Sequence, residues 1–386
     1  VAPTLLPHLV VTLALALVAA CDDPPSGGPG AGGTAGSTGQ AGSSGSSGGY
    51  TDDPANCSSP EHCPEVPSGG PYRPPPKSGG GLADGEAPIL HGVSKLYLGD
   101  TDRQGNPSAD AWKELGFDID GWVSTSKQTP HCKAQPGGKS AFIQVDGLRG
   151  IDNSFGANIV HGILDTILSD ASLQATAALT QGESGLVLNL GRLGVAASYD
   201  SSPSQIFVVE GQKSGNLFLP PGDDWSGYAW RPRADAVEAD GQAKIKLPGA
   251  YLTGNSWVSG VPAVLLLRLS LQGFPLVLPL RLAQLSVDVT DRQHGVGGTL
   301  GGVLWADEFA PLFADFASHL ATSLCVEGNR QAILDSVKRA SDILTDGTQD
   351  PGKNCDAISL GLGFETRATS LGETAGASPD QKPCSP

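Results

Sequence analysis

The sequence lacks most patterns that would assign a chemistry at once. It has no HExxH pair, and its seven histidines are scattered, so no zincin-type metal site is encoded. "GESG" and "GQKSG" do not have the spacing of a nucleophile elbow. In "GVGGTLGG" (Gly295–Gly302) Leu300 stands where a dinucleotide fingerprint needs its third glycine, so the stretch reads as a Gly-rich hairpin. No basic cluster with interleaved aromatics occurs, and a net charge of −16 repels phosphate backbones, which excludes nucleic acid as a partner. None of the seven cysteines has CxxC spacing, which argues against zinc held by thiolates. Methionine is absent. No apolar run reaches the roughly 20 residues that a bilayer-spanning helix needs.

What is present starts with "LALALVAACDD" (Leu13–Asp23). The uncharged run Leu9–Ala20 has the length of a signal-peptide h-region, with the small residues Ala19 and Ala20 before the cysteine. Leu17-Val18-Ala19-Ala20-Cys21 resembles the bacterial lipobox, in which cleavage falls before the cysteine and that cysteine is lipidated. The alternative is an ordinary cleaved signal with a chance cysteine. Acyl chains on Cys21 would anchor the chain to a membrane at about 0.8 kcal/mol per buried CH2. Asp22 follows the cysteine, a pattern that retains some lipoproteins at the inner membrane. The long spacer after it suits display at the outer membrane or cell surface, which is the favoured location.

The chain divides by composition. Residues 1–20 read as a lipoprotein signal peptide and 21–86 as a tether of Gly, Ser and Pro, too polar to offset its ordering entropy. Cys57 and Cys63 are expected to close a small loop inside it. Residues 87–372 read as a β-rich globular domain, with an acidic part at 96–156, a β part at 181–305 and a helical part at 306–346. A polar tail, 373–386, follows. The later cysteines Cys57, Cys63, Cys132, Cys325, Cys355 and Cys384 are even in number, as in a three-disulfide framework with 15 connectivities. Cys325 with Cys355, across a predicted helix, and Cys132 with Cys384 are the remaining expected pairs.

Period-two alternation is clearest in "LLLRLSLQ", where Leu267, Leu269 and Leu271 alternate with Arg268, Ser270 and Gln272. It recurs in "LAQLSVDVT", with Leu285, Val287 and Val289 on the apolar side and Gly273 and Pro275 marking a turn between the two. Shorter strands are expected at 186–190, 206–210, 243–247 and 256–258. Helical stripes run through Ile159, Ile163, Leu164, Ile167 and Leu168; through Phe309, Leu312, Phe313, Phe316 and Leu320; and through Ile333, Leu334, Val337, Ile343 and Leu344. The pattern predicts an α+β, mainly β fold: an antiparallel β-sandwich with flanking helices.

The acidic part carries the candidate chemistry. In "GDTDRQGN" Asp100, Asp102, Gln104 and Gly105 match positions one, three, five and six of a calcium loop, but Ala111 at position twelve rules out an EF-hand. With Asp118, Asp120, Asp146 and Asp152 they are the candidate ligands of a non-EF calcium site; turn formation and helix capping are the competing explanation. Asp118 and Asp120, if on a strand, would share a face about 6.6 Å apart, near the spacing of an inverting glycosidase pair. "GDDWSGYAWRPR" puts Trp225, Tyr228 and Trp230 among charges, a composition suited to carbohydrate or an envelope-protein surface, or to rings that cap a sheet edge.

"LYLGDTDRQGNPSADAWKELGFDIDG", "DGLRGIDNSFGANI" and "ASDILTDGTQDPGKNCDAISLGLGFE" resemble segments of secreted lipoproteins from myxobacteria. There the same three blocks follow a lipobox and a Gly-rich tether in the same order. The resemblance implies an exported, anchored chain folded from Leu96 to Glu365, and it carries no assigned activity. The expected function is therefore a membrane-anchored, non-catalytic binding or structural module, with calcium as its candidate cofactor. A surface or periplasmic hydrolase acting on polysaccharide through paired carboxylates is the alternative.

Overall fold

The computed structural model describes residues 72–78, 87–124, 132–135, 145–193, 199–200, 204–376 and 384. The chain divides into two units, Val1–Ser47 and Gly48–Pro386, and every described residue lies in the second. The signal segment, Cys21, Cys57, Cys63 and most of the tether lie outside the described residues.

The expected class is the observed one: mainly β, with few flanking helices. The strands are β1 (Pro88–Tyr97), β2 (Gly185–Arg192), β3 (Tyr199–Asp200), β4 (Ser204–Glu210), β5 (Lys213–Ser214), β6 (Leu217–Phe218), β7 (Ala229–Pro232) and β8 (Ile245–Leu247). They continue as β9 (Tyr251–Thr253), β10 (Ser256–Val258), β11 (Ala263–Leu271), β12 (Phe274–Asp291), β13 (His294–Trp305), β14 (Ala357–Ala368) and β15 (Ser370–Leu371). Thirteen of them form one sheet in the order β15-β7-β4-β2-β1-β14-β13-β12-β10-β9-β3, with β11 also on β12 and β8 on β4. Among the described strands, β15 and β7 are the pair that runs parallel. Leucines of β11 and β12 share one core with Leu186 and Leu188 of β2 and Val208 of β4, so the two ends of the sheet turn toward a common interior.

The alternation in β11 works as expected: Leu265, Leu267, Leu269 and Leu271 are buried, and Val264 and Leu266 face out. The predicted turn falls at Gln272 and Gly273, both at positive φ, and Pro275 lies within the next strand. That strand, β12, is 18 residues long because it changes frame. Leu276, Leu278 and Leu280 point inward in its first half, then Ala283, Leu285, Val287 and Val289 in its second. The switch occurs at Leu282, at φ 51°, where the register with β13 shifts. A bulge inserts one residue and so returns the apolar set to the same face.

The Gly-rich stretch expected as a hairpin is most of β13, the second arm of a hairpin with β12 in which Asp291 stands opposite His294, and it also pairs with β14. Its glycines are there for space. A Cβ on Gly301 would meet the Phe117 ring at 2.7 Å, and one on Gly298 would lie 2.5 Å from the Phe364 carbonyl oxygen. Of the helices, α2 (Ala306–Leu320) buries Phe309, Phe313 and Phe316 on one stripe, each contributing about 2–3 kcal/mol of apolar burial. Helix α3 (Glu327–Arg339) carries the third stripe, although Ile343 and Leu344 lie beyond its end. The first stripe folds as a π-turn (Phe155–Val160) and a 3-10 turn (Leu164–Thr166), ahead of α1 (Ala171–Thr180), which periodicity did not reveal. No helix among the described residues is long and apolar enough to cross a membrane.

The disulfides differ from the expected pairs. Cys132 joins Cys355, and Cys325 joins Cys384. Cys355 is fully buried with Cys132 and Leu344, at the start of the segment that leads into β14. Cys325 lies in the turn after α2, outside that cluster, so the helix between Cys325 and Cys355 separates them.

Candidate functional site

The acidic part folds as loops laid against β14. Asn153 fixes them: its Nδ2 donates to the carbonyls of Trp112 and Leu115, and its Oδ1 accepts from the amides of Gly156 and Gly361. All four hydrogen-bonding positions of this buried amide are used. Gly116 at φ +123° brings the loop backbone so close that a Cβ would lie 2.9 Å from Gly361 Cα. Residue 152 is thereby locked beside the 118–121 turn.

There the carboxylates of Asp118, Asp120 and Asp152 converge, each offering an oxygen within 4.8 Å of the others. Asp152 Oδ2 accepts from the amides of Ile119 (2.6 Å) and Asp120 (3.3 Å). Asp118 Oδ1 accepts from Gly121 N, and its Oδ2 faces the Arg73 guanidinium at 3.8 Å. Asp120 accepts from Trp122 N and from Gln349 Nε2. Asp146, which accepts from Ser124 N, adds its charge to the group. Two members come from the far end of the chain and were not among the sequence candidates. Asp342, just after α3, accepts from the amide and hydroxyl of Ser359. Gln349 ties Asp120 to the Asp342 carbonyl and accepts from Cys132 N, so the Cys132–Cys355 bridge braces the cluster. Only the third quoted sequence block, with its "SDILTDGTQD", hinted that this region belonged there.

Burial is the main cause of the cluster's perturbed acidity. It pushes Asp120 up to about 6, against the opposing hydrogen bonds from Gln349 and Trp122. Asp342 is pushed up to about 7 by burial, opposed by Ser359 and reinforced by the Asp120 charge. Asp146 and Asp152 are raised well above the carboxylate range by burial and then by their acidic neighbours. A desolvated group of like charges of this kind is relieved by protons or by a cation.

The other candidates lie elsewhere. Asp100 does not join the cluster: its carboxylate accepts from the amide and hydroxyl of Ser172 and so caps the first turn of α1. Nor does Asp102, which accepts from the amides of Gln104 and Asn106 and closes its own turn. Trp225, Tyr228 and Trp230 are buried rather than displayed. Their rings pack 5.1–5.6 Å apart against Val187, Phe207 and Val209. The Tyr228 hydroxyl donates to the Leu219 carbonyl. These rings form a satellite core over the sheet edge, because indole burial outweighs the polarity of the flanking residues. No family model, curated protein or solved structure matches the chain.

Proposed function

We propose that this chain is a lipid-anchored protein of the bacterial cell envelope, displaying a non-catalytic β-rich module whose acidic loops are held together by one calcium ion. The observation that carries the cation is the convergence of Asp118, Asp120 and Asp152 within 4.8 Å. Calcium holds oxygens at about 2.3–2.6 Å, so ligands on opposite sides of the ion stand about 5 Å apart. Asp118, Asp120 and Asp152 would bind it, and Gln349 would orient Asp120. The lipobox-like sequence at Cys21, the spacer after it and the likeness to myxobacterial lipoproteins support the anchor.

Catalysis on polysaccharide is the second reading, favoured by the raised pKa of Asp120 and Asp342, which keeps a carboxyl protonated closer to neutral pH. It fits less well. Paired glycosidase carboxylates face each other across an open cleft, about 5–9.5 Å apart. Here the oxygens are closer and accept backbone amides, and the adjoining cavity of about 240 Å³ reaches only Asp118 of the group.

Calorimetric titration of the metal-free chain with calcium tests the site: one ion per chain is expected, and no heat above dilution would contradict it. Cys21→Ser should leave the protein unprocessed or release it from membranes. Wild-type fractionation of that variant would sink the anchor.

A further inference from the structure

A second cavity shares no lining residue with the acidic cluster. Among the described residues β11 pairs only with β12, while β4 pairs with β2, β7 and β8. Side chains of β4 and β11 nonetheless line one cavity, of about 440 Å³, with the last turn of α2 at its edge. That volume suits a small molecule.

Its wall carries charges of both signs beside apolar side chains. Its lining includes Glu210, only 7% exposed, which takes Lys213 at 3.2 Å and Arg231 at 3.3 Å, and Glu183, which accepts from Ser270 Oγ. It also includes Arg233 and Arg268, 19% and 16% exposed, which share Asp235. Val208, Leu269 and Phe274 add apolar surface, and the Phe274 ring stacks on His319 at 4.6 Å. A gap closed for stability alone would be filled as the adjacent core is, with leucines. Of these groups Glu210 is withdrawn from water, which makes its ion pairs costly to desolvate, while Asp235 is 48% exposed. Both signs of charge beside an apolar wall are the complement of a ligand that carries both signs itself.

We propose that this cavity binds a zwitterion of amino-acid to dipeptide size. The ligand's ammonium faces Glu183 and Glu210, its carboxylate faces the planar guanidinium donors of Arg233 and Arg268, and its side chain lies on Leu269 and Phe274. The site stands apart from the calcium reading and does not depend on it.

The test is thermal unfolding of the full chain with alanyl-leucine and with N-acetyl-alanyl-leucine amide, which keeps the body and removes both charges. At a concentration about 100-fold above its dissociation constant the free dipeptide should raise the Tm by roughly 5 °C, and the blocked form should not. Arg268→Gln and Glu183→Gln should each weaken dipeptide affinity at least about tenfold, the loss of one charge-assisted hydrogen bond. If Arg268→Gln does not fold, Glu183→Gln, a partly exposed position, reports on the contact to the ligand's ammonium, and the two wild-type titrations already decide. No shift with the dipeptide, an equal shift with its blocked form, or a shift with galacturonate alone would overturn the assignment.

Discussion

The two acidic loops of this molecule handle their carboxylates in opposite ways. Around Asp100 and Asp102 each carboxylate finds hydrogen-bond donors for itself: the start of α1 for one, the amides of its own turn for the other. Around Asp118, Asp120 and Asp152 the backbone supplies some donors, but the carboxylates still face one another out of water, with Asp146 and Asp342 behind them. The first arrangement is complete without a ligand. The second sets several carboxylates together beside the one Arg73 guanidinium that faces Asp118, and a proton or a cation relieves the remaining repulsion. Aspartate-rich sequence is therefore not one feature but two, and what separates them is whether the fold brings the side chains together.

The sharpest way to break the second arrangement is to release its brace. Replacing Cys132 and Cys355 by serine opens a loop of sequence separation 223 and should cost about 5 kcal/mol in the chain-entropy account. Denaturant unfolding measures it, and calcium should recover less stability in that variant than in wild type. Asp152→Ala comes next. It removes a proposed metal ligand together with the acceptor for two amides, and should cost about 3 kcal/mol in calcium while abolishing the calcium-dependent gain.

Acidity gives a milder test. With chelator present, Asp120 and Asp342 hold protons in the folded state at pH values where the unfolded chain has lost them. The folded state therefore binds more protons between about pH 4 and 7, and stability must fall as pH rises through that window. His91 opposes this in part. Its burial lowers its pKa below 6.5, so its contribution is lost as pH falls through that value. The Tm should decline by about 5 °C from pH 5 to 7.5 without calcium, and calcium should flatten the decline by displacing protons. A metal-free Tm that rises over this range would contradict the buried-acid account.

Asp100→Ala should cost only about 1 kcal/mol, the price of a helix cap, and should leave the calcium response intact. Asp102→Ala, at an exposed turn, should leave the Tm unchanged within error. Loss of the calcium response in either would erase the distinction between the two loops.

Much of the β architecture was legible because its signal is local. β11 reads directly from Leu265 to Leu271, since alternate residues face one core. Only the second half of β12 was read as a strand, because the bulge at Leu282 resets the period and no alternation rule follows across it. β13 and β14 were opaque: their glycines at 298, 301, 361 and 363 are chosen for close approach of Phe117, Phe364 and Leu115, and such packing is a tertiary fact. The candidate site divides in the same way. Four of the six proposed aspartates lie in it because they belong to one folded stretch. Asp342 and Gln349 arrive from some two hundred residues away, delivered by α3 and the Cys132–Cys355 bridge, and no spacing within the acidic part points to them. Of the two readings of the tryptophan-rich stretch, rings capping a sheet edge is the one that fits, because polar neighbours in sequence are not neighbours of the rings in space.

The central claim is that the acidic loops are completed by calcium, and thermal unfolding of the full chain at pH 7.5 in millimolar calcium and in chelator tests it most directly. The account predicts a clearly higher Tm in calcium, a gap that Asp152→Ala closes and Asp100→Ala preserves. Superimposable unfolding curves for wild type would contradict it.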